Sequence, residues 1–165
     1  MLLGSSGNRP IRVVAFSFIC AACLNIFPLG LLGGFFQPDW VALVLIYWCL
    51  WDPERMGAGI GWVSGMLLDA LDFAVLGKHA LAKTVCGFLS NKISLRLRTY
   101  PVWQQSLGVA ILVGVDTLVV ALVQYMLDEQ PISLARWMTP FSSMLMWPLV
   151  LVVLHKRPHG HRYGS

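Results

Sequence analysis

Charge is scarce in this sequence. Only 12% of the 165 residues are Asp, Glu, Lys or Arg, about half of what a soluble domain carries. No long polar segment is present that could fold as a second domain. No Ser/His/Asp or Cys/His set has a spacing suited to nucleophilic catalysis, and no phosphate-binding loop is present. These absences exclude a soluble globular domain and leave an enzyme without candidate catalytic residues. Cysteine is also sparse. Cys20, Cys23, Cys49 and Cys86 all fall inside apolar runs. Cys20-x-x-Cys23 has redox spacing, but no neighbouring His or charge lowers a thiol pKa. The four cysteines therefore read as small packing residues. Ala21-Ala22-Cys23 is not expected to be a lipoprotein cleavage site, because the apolar run continues beyond it. His155, His159 and His161 are diluted by Lys156, Arg157 and Arg162 and read as part of a solvated tail facing lipid headgroups. No metal or cofactor site is expected.

What is present is apolar surface. Hydrophobic residues make up 57% of the chain, and the mean hydropathy is +0.69. The expected class is an all-α integral membrane protein. Six runs carry the apolarity: Ile11–Leu32, Trp40–Trp51, Met56–Leu71, Val75–Ser90, Trp103–Leu127 and Pro140–Leu154. They form a single transmembrane domain over 11–154. A short polar start, 1–10, precedes it, and a basic tail, 155–165, follows. Pro28 and Gly30 are expected to kink or end the first run. Trp40–Trp51 is short for a bilayer crossing. It reads as a span extended at both ends and tilted, or thinning the bilayer. Pro38 is placed to pre-set its first turn. Asp39 suits the positive end of that helix, and Trp40 suits an interfacial anchor. Leu71–Lys78, with Gly77, reads as a turn, Asn91–Arg98 as a basic segment, and Asp128–Thr139 as a polar loop. Pro148, after Trp147, is expected to kink the last span.

Six spans put both termini on one side. If that side is the cytoplasm, it holds Arg9, Arg12, Arg55, Lys92, Arg96, Arg98, Lys156, Arg157 and Arg162, which is nine of the twelve basic residues. Lys78 and Arg136 lie outside, and Lys83 lies within a span. This is a positive-inside pattern. It accounts for a pI near 9.1 through contact with anionic lipid headgroups, with no need for nucleic acid.

The most ordered stretch is Met56–Leu71, where Gly57, Gly61, Gly65 and Asp69 recur every four residues. On a helix they share one face. Small residues at that spacing let two membrane helices approach closely. Gly59-x-Gly61-x-x-Ser64 lacks the third glycine of a dinucleotide loop, and no strand precedes it. Charges within a membrane usually face the bundle interior and are paired. Lys83 and Asp116 are therefore expected to form a buried pair that fixes helix register. A proton relay would need carboxylates stepping across the membrane, and only Asp69 and Asp116 are available. The alternative reading of Asp69 is a simple turn cap. Few polar side chains are available to converge inside the bundle: Asn25, Ser64, Asp69, Lys83, Asp116 and Gln124.

Gln37-Pro38-Asp39-Trp40, Tyr47-Trp48, Gly61-x-x-x-Gly65, Leu68-Asp69, Leu76-Gly77 and Ala80-Leu81 follow one another along the chain. Trp103-Gln104-Gln105, Val115-Asp116 and Trp147-Pro148 with a basic tail complete the order. In this series the chain resembles the MreD family of rod shape-determining membrane proteins. Gly57 and Gly59 add glycine beyond the family pattern, and Trp40 replaces a common aliphatic. The resemblance implies a non-enzymatic scaffold of cell-wall elongation in the bacterial inner membrane. The implied partners are MreC, the actin-like MreB, the polymerase RodA and a class B penicillin-binding transpeptidase. It also implies the six-helix fold of the substrate-binding subunits of energy-coupling-factor vitamin transporters. That analogy leaves a second function open, a transporter subunit that captures a vitamin-like molecule in a polar, aromatic pocket. Pro38, Asp39, Trp40, Gly57, Gly61, Gly65, Asp69, Gly77 and Pro148 are the candidates for partner binding or helix packing.

Overall fold

The computed structural model describes residues 11–26, 37–72, 77–127 and 133–154. Among them are seven helices and no strand: α1 (Ile11–Ile26), α2 (Trp40–Trp51), α3 (Ala58–Leu71), α4 (Lys78–Thr99), α5 (Val102–Met126), α6 (Leu134–Trp137) and α7 (Thr139–Leu154). The expectations for 1–10, for Pro28 and Gly30, and for the tail 155–165 lie outside the described residues.

α2 is the centre of the fold. Residues Val41 to Leu50 are all buried, and α2 touches α1, α3, α4, α5 and α7. A helix that is apolar all round has to be buried all round, and α2 has no polar face to offer. It is not extended at either end. The Asp39 side chain accepts from Ala42 N at 3.0 Å and caps the start. At the other end Asp52 N donates to Trp48 O. Twelve residues reach only about 18 Å. The sequence reads as a span extended at both ends, but the helix is a short inner rod held by its neighbours. Trp40 is half-buried and packs on the core. Pro38 stands one residue before the cap rather than in the first turn.

The other long helices keep one apolar face outward. Phe16, Trp62, Phe88, Ile111 and Leu145 are each more than half exposed. α5, with 25 residues and a mean hydropathy of 2.4 over its most apolar stretch, is long and apolar enough to cross a membrane.

α3 packs most extensively on α4, and the two run antiparallel. Gly57 faces Gly87 and Asn91, Gly61 faces Lys83 and Thr84, and Gly65 faces His79 and Ala80. A methyl group on Gly61 would overlap the Lys83 carbonyl, and one on Gly65 would overlap the His79 carbonyl and the Ala80 backbone. The glycine face is therefore used inside the chain. α4 supplies its own small residue at the seam, because a Cβ on Gly87 would lie 2.7 Å from Gly57 O. Asn91 fastens one end by donating to Pro53 O and Met56 O at 2.9 and 2.7 Å.

Asp69 fastens the other end. Its carboxylate accepts from Gly77 N at 2.8 Å, His79 N at 2.9 Å and Ala80 N at 3.2 Å. These are N–H groups at the start of α4 that no helical carbonyl can reach. Gly77 has φ +108°, a left-handed conformation that a Cβ would strain.

Two boundaries differ from the sequence reading. α4 continues through Asn91–Arg98 to Thr99. Nothing breaks it until Tyr100, whose helical conformation is disfavoured by Pro101. The polar loop before the last span holds the single turn α6. α7 runs through the exposed Pro148, with Trp147 buried beside it.

Gly65→Leu is expected to lower stability by at least about 1–3 kcal/mol, the usual cost of overpacking. Gly59→Ala is expected to melt like the parent, since a Cβ there meets nothing within 4 Å. Thermal melting in detergent checks both, and a Gly65→Leu protein as stable as the parent would refute the α3–α4 seam. Asp69→Ala is expected to cost about 1–2 kcal/mol as a lost helix cap, read in the same melts.

Candidate functional site

Lys83 is fully buried in α4. Its ammonium donates to Asp116 Oδ2 of α5 at 2.7 Å and to Asp39 Oδ2 at the start of α2. Three helices are thus joined at one point. A buried ammonium is costly unless charge and hydrogen bonds surround it. Here two carboxylates do so.

The sequence pairs Lys83 with Asp116 alone. Asp39 is the partner it misses, and it does two jobs. Oδ1 caps α2, while Oδ2 faces Lys83. Asp39 N also donates to Ser143 Oγ of α7 at 3.2 Å. Asn25 of α1 closes the group: its Oδ1 accepts from Trp40 N at 3.2 Å, and its backbone O accepts from Gln37 Nε2 at 2.8 Å. The signal for Asp39 was its place before an apolar helix, which marks a cap but does not reveal a second partner 44 residues away.

Beside this cluster lies a cavity of about 250 Å³. It sits where α1 and α3 end and where α2, α4 and α7 begin, against the middle of α5, with α6 at its edge. Asp39, Asp72, His79, Asp116 and Arg136 are the ionisable groups on its wall. Arg136 Nη2 lies 3.4 Å from His79 Nε2. Asp72 Oδ2 is 3.8 Å from the same nitrogen. The wall is more polar than the sequence count of convergent side chains implies. Asp72 falls in the Leu71–Lys78 turn, Arg136 in the Asp128–Thr139 loop and His79 in the Val75–Ser90 apolar run, and helix ends bring them together.

The remaining candidates lie elsewhere. Gly57, Gly61 and Gly65 are in the α3–α4 seam, Asp69 and Gly77 form the α4 cap, and Pro148 is on the outer face of α7. Gln105 Oε1 accepts from the buried Trp147 Nε1 at 3.4 Å. Among the described residues no group of three or more His, Cys, Asp or Glu could hold a metal ion.

These features define a class: an all-helical bundle with a membrane-capable helix, stitched by a glycine seam and one buried charge cluster. The family model for rod shape-determining protein MreD matches residues 10–157, and the chain belongs to that family. It is 30% identical over 139 residues to the rod shape-determining protein MreD of Haemophilus influenzae, covering 84% of this chain and 86% of the relative. No solved structure matches. Its role accordingly lies in rod-shape determination.

Lys83→Met is expected to destabilise the protein by about 3–5 kcal/mol, because two carboxylates are left buried around no cation. Lys83→Met and Asp116→Leu together are expected to cost less than the sum of the two single changes, by about 0.5–3 kcal/mol. Unfolding of the singles and the double measures this, and strict additivity would remove the ion pair as a coupling element.

Proposed function

We propose that this chain is a non-enzymatic, multi-pass scaffold of the cell-wall elongation complex in the bacterial inner membrane. It holds MreC and links it to the peptidoglycan synthases RodA and a class B penicillin-binding transpeptidase, beside MreB. Residues 11–154 form one six-helix transmembrane domain, with 1–10 and the basic 155–165 in the cytoplasm. The observation that carries this reading is the family match across nearly the whole chain. The packing supports it: the glycine seam and the Lys83 cluster stiffen the bundle, and outward apolar faces remain for neighbours.

α1 is the best placed of these faces. It packs on α2 alone among the well-contacted helices, and Phe16 and Ile19 are 68% and 56% exposed. Large exposed apolar faces mark partner or membrane contact. In this reading the membrane helix of MreC lies along α1, and Pro38, Asp39 and Trp40 hold the helix packing behind it rather than touching MreC. The vitamin-like transporter alternative would want an aromatic pocket, and no Phe, Tyr or Trp is among the described residues lining the cavity.

Cys20 and Cys23 are exposed on α1 and serve as crosslinking handles. A thiol-reactive crosslinker in membranes is expected to join them to MreC, and to do so far less from a cysteine placed at Ile111 on α5. Cells relying on Gly65→Leu are expected to lose rod form. Failure to recover MreC from any exposed face would end the scaffold reading.

A further inference from the structure

The polar cavity holds unfinished chemistry. Asp116 is 2% exposed and lines the wall. Its Oδ2 is taken by Lys83, while its Oδ1 is buried with no partner among the described residues. His79 is 5% exposed and lines the same wall. Arg136 approaches its Nε2, and a guanidinium can only donate. The Asp72 carboxylate is 3.8 Å from the same nitrogen, beyond hydrogen-bond reach, so Nε2 accepts from the guanidinium and the ring proton sits on Nδ1. That Nδ1 is also buried with no partner among the described residues. Buried polar atoms of this kind are normally satisfied.

The two orphans have opposite polarity. One is an anionic acceptor. The other is a donor on a ring that carries a guanidinium beside it. A ligand satisfying both brings a cationic donor to Asp116 and an anionic acceptor to His79 and Arg136. We infer that the cavity binds a small zwitterion, an ammonium group close to a carboxylate, of free amino acid size. The volume of about 250 Å³ falls just below the range of drug-sized pockets, which begins at about 300 Å³. The single turn α6 contributes Ala135 and Arg136 to the wall. By the topology proposed above the cavity faces away from the cytoplasm, but the binding chemistry does not depend on that topology or on MreC.

The full chain, purified in detergent, is tested with L-alanine as the zwitterion, ethylamine as the ammonium alone and propionate as the carboxylate alone. Equilibrium dialysis and thermal melting are the readouts. Alanine is expected to bind and raise the melting temperature, and the two half-molecules are expected to do neither at the same concentration. Arg136→Gln, a half-buried position on the rim, is expected to melt like the parent without ligand. It is expected to bind alanine about tenfold more weakly, the loss of one charge-assisted hydrogen bond. Asp116→Asn, where it folds, is expected to lose the ammonium and with it the binding. A cavity holding water only, with no binding of alanine, would overturn the inference. So would ethylamine binding as well as alanine, or an Arg136→Gln protein that binds alanine like the parent.

Discussion

One ammonium group decides much of this architecture. Lys83 cannot stay charged inside an apolar bundle by itself. Its two carboxylates come from different helices, so satisfying it fixes α2, α4 and α5 at one depth. Asp39 makes the constraint tighter because the same carboxylate also caps α2. Sliding α2 along the bundle axis would cost the cap and the ion pair together. The polar end of the bundle, with its cavity, is a consequence of gathering these groups in one place.

The opposite side of α4 is held by a different kind of force. Along the glycines of the α3 seam the gain is backbone-to-backbone contact, with the Asp69 carboxylate and Asn91 fastening its two ends. Gly61 and Gly65 allow it because even a methyl group would collide. Dispersion across such a seam is small per atom and large in sum. α4 is therefore gripped on one face by packing and on another by charge, and it is the helix through which α3 is attached to the rest.

Some of this was legible in the residues and some was not. The glycine stripe was readable because a four-residue period needs only helical geometry to become a face. Its partner was not, because Gly87 and Ala80 are unremarkable in sequence and the choice between an inner helix and another protein depends on tertiary structure. The Lys83–Asp116 proximity could be argued from depth. Asp39 could not, since a cap residue gives no sign of facing a second helix. Trp40–Trp51 reads as a span extended at both ends, but the helix is neither extended nor open on any face. Uniform apolarity describes a helix in hydrocarbon and a helix in a protein core equally well. The shortness of the run was the clue that separated them. The reach of α4 beyond Ser90 was hidden by charge, which marks a solvated surface but does not stop a helix.

The position of Lys83 along the chain also has a bearing on assembly during synthesis. Asp39 precedes it by 44 residues and Asp116 follows it by 33. Chains emerge N-terminus first, so the lysine leaves the ribosome with one counter-charge already made. Asp69, which caps α4, likewise precedes the helix it caps. The first four helices thus carry a neutral pair and a finished helix start before α5 exists. Asp116 joins a partner that is already compensated, and the second carboxylate arrives as a latch on a preformed half.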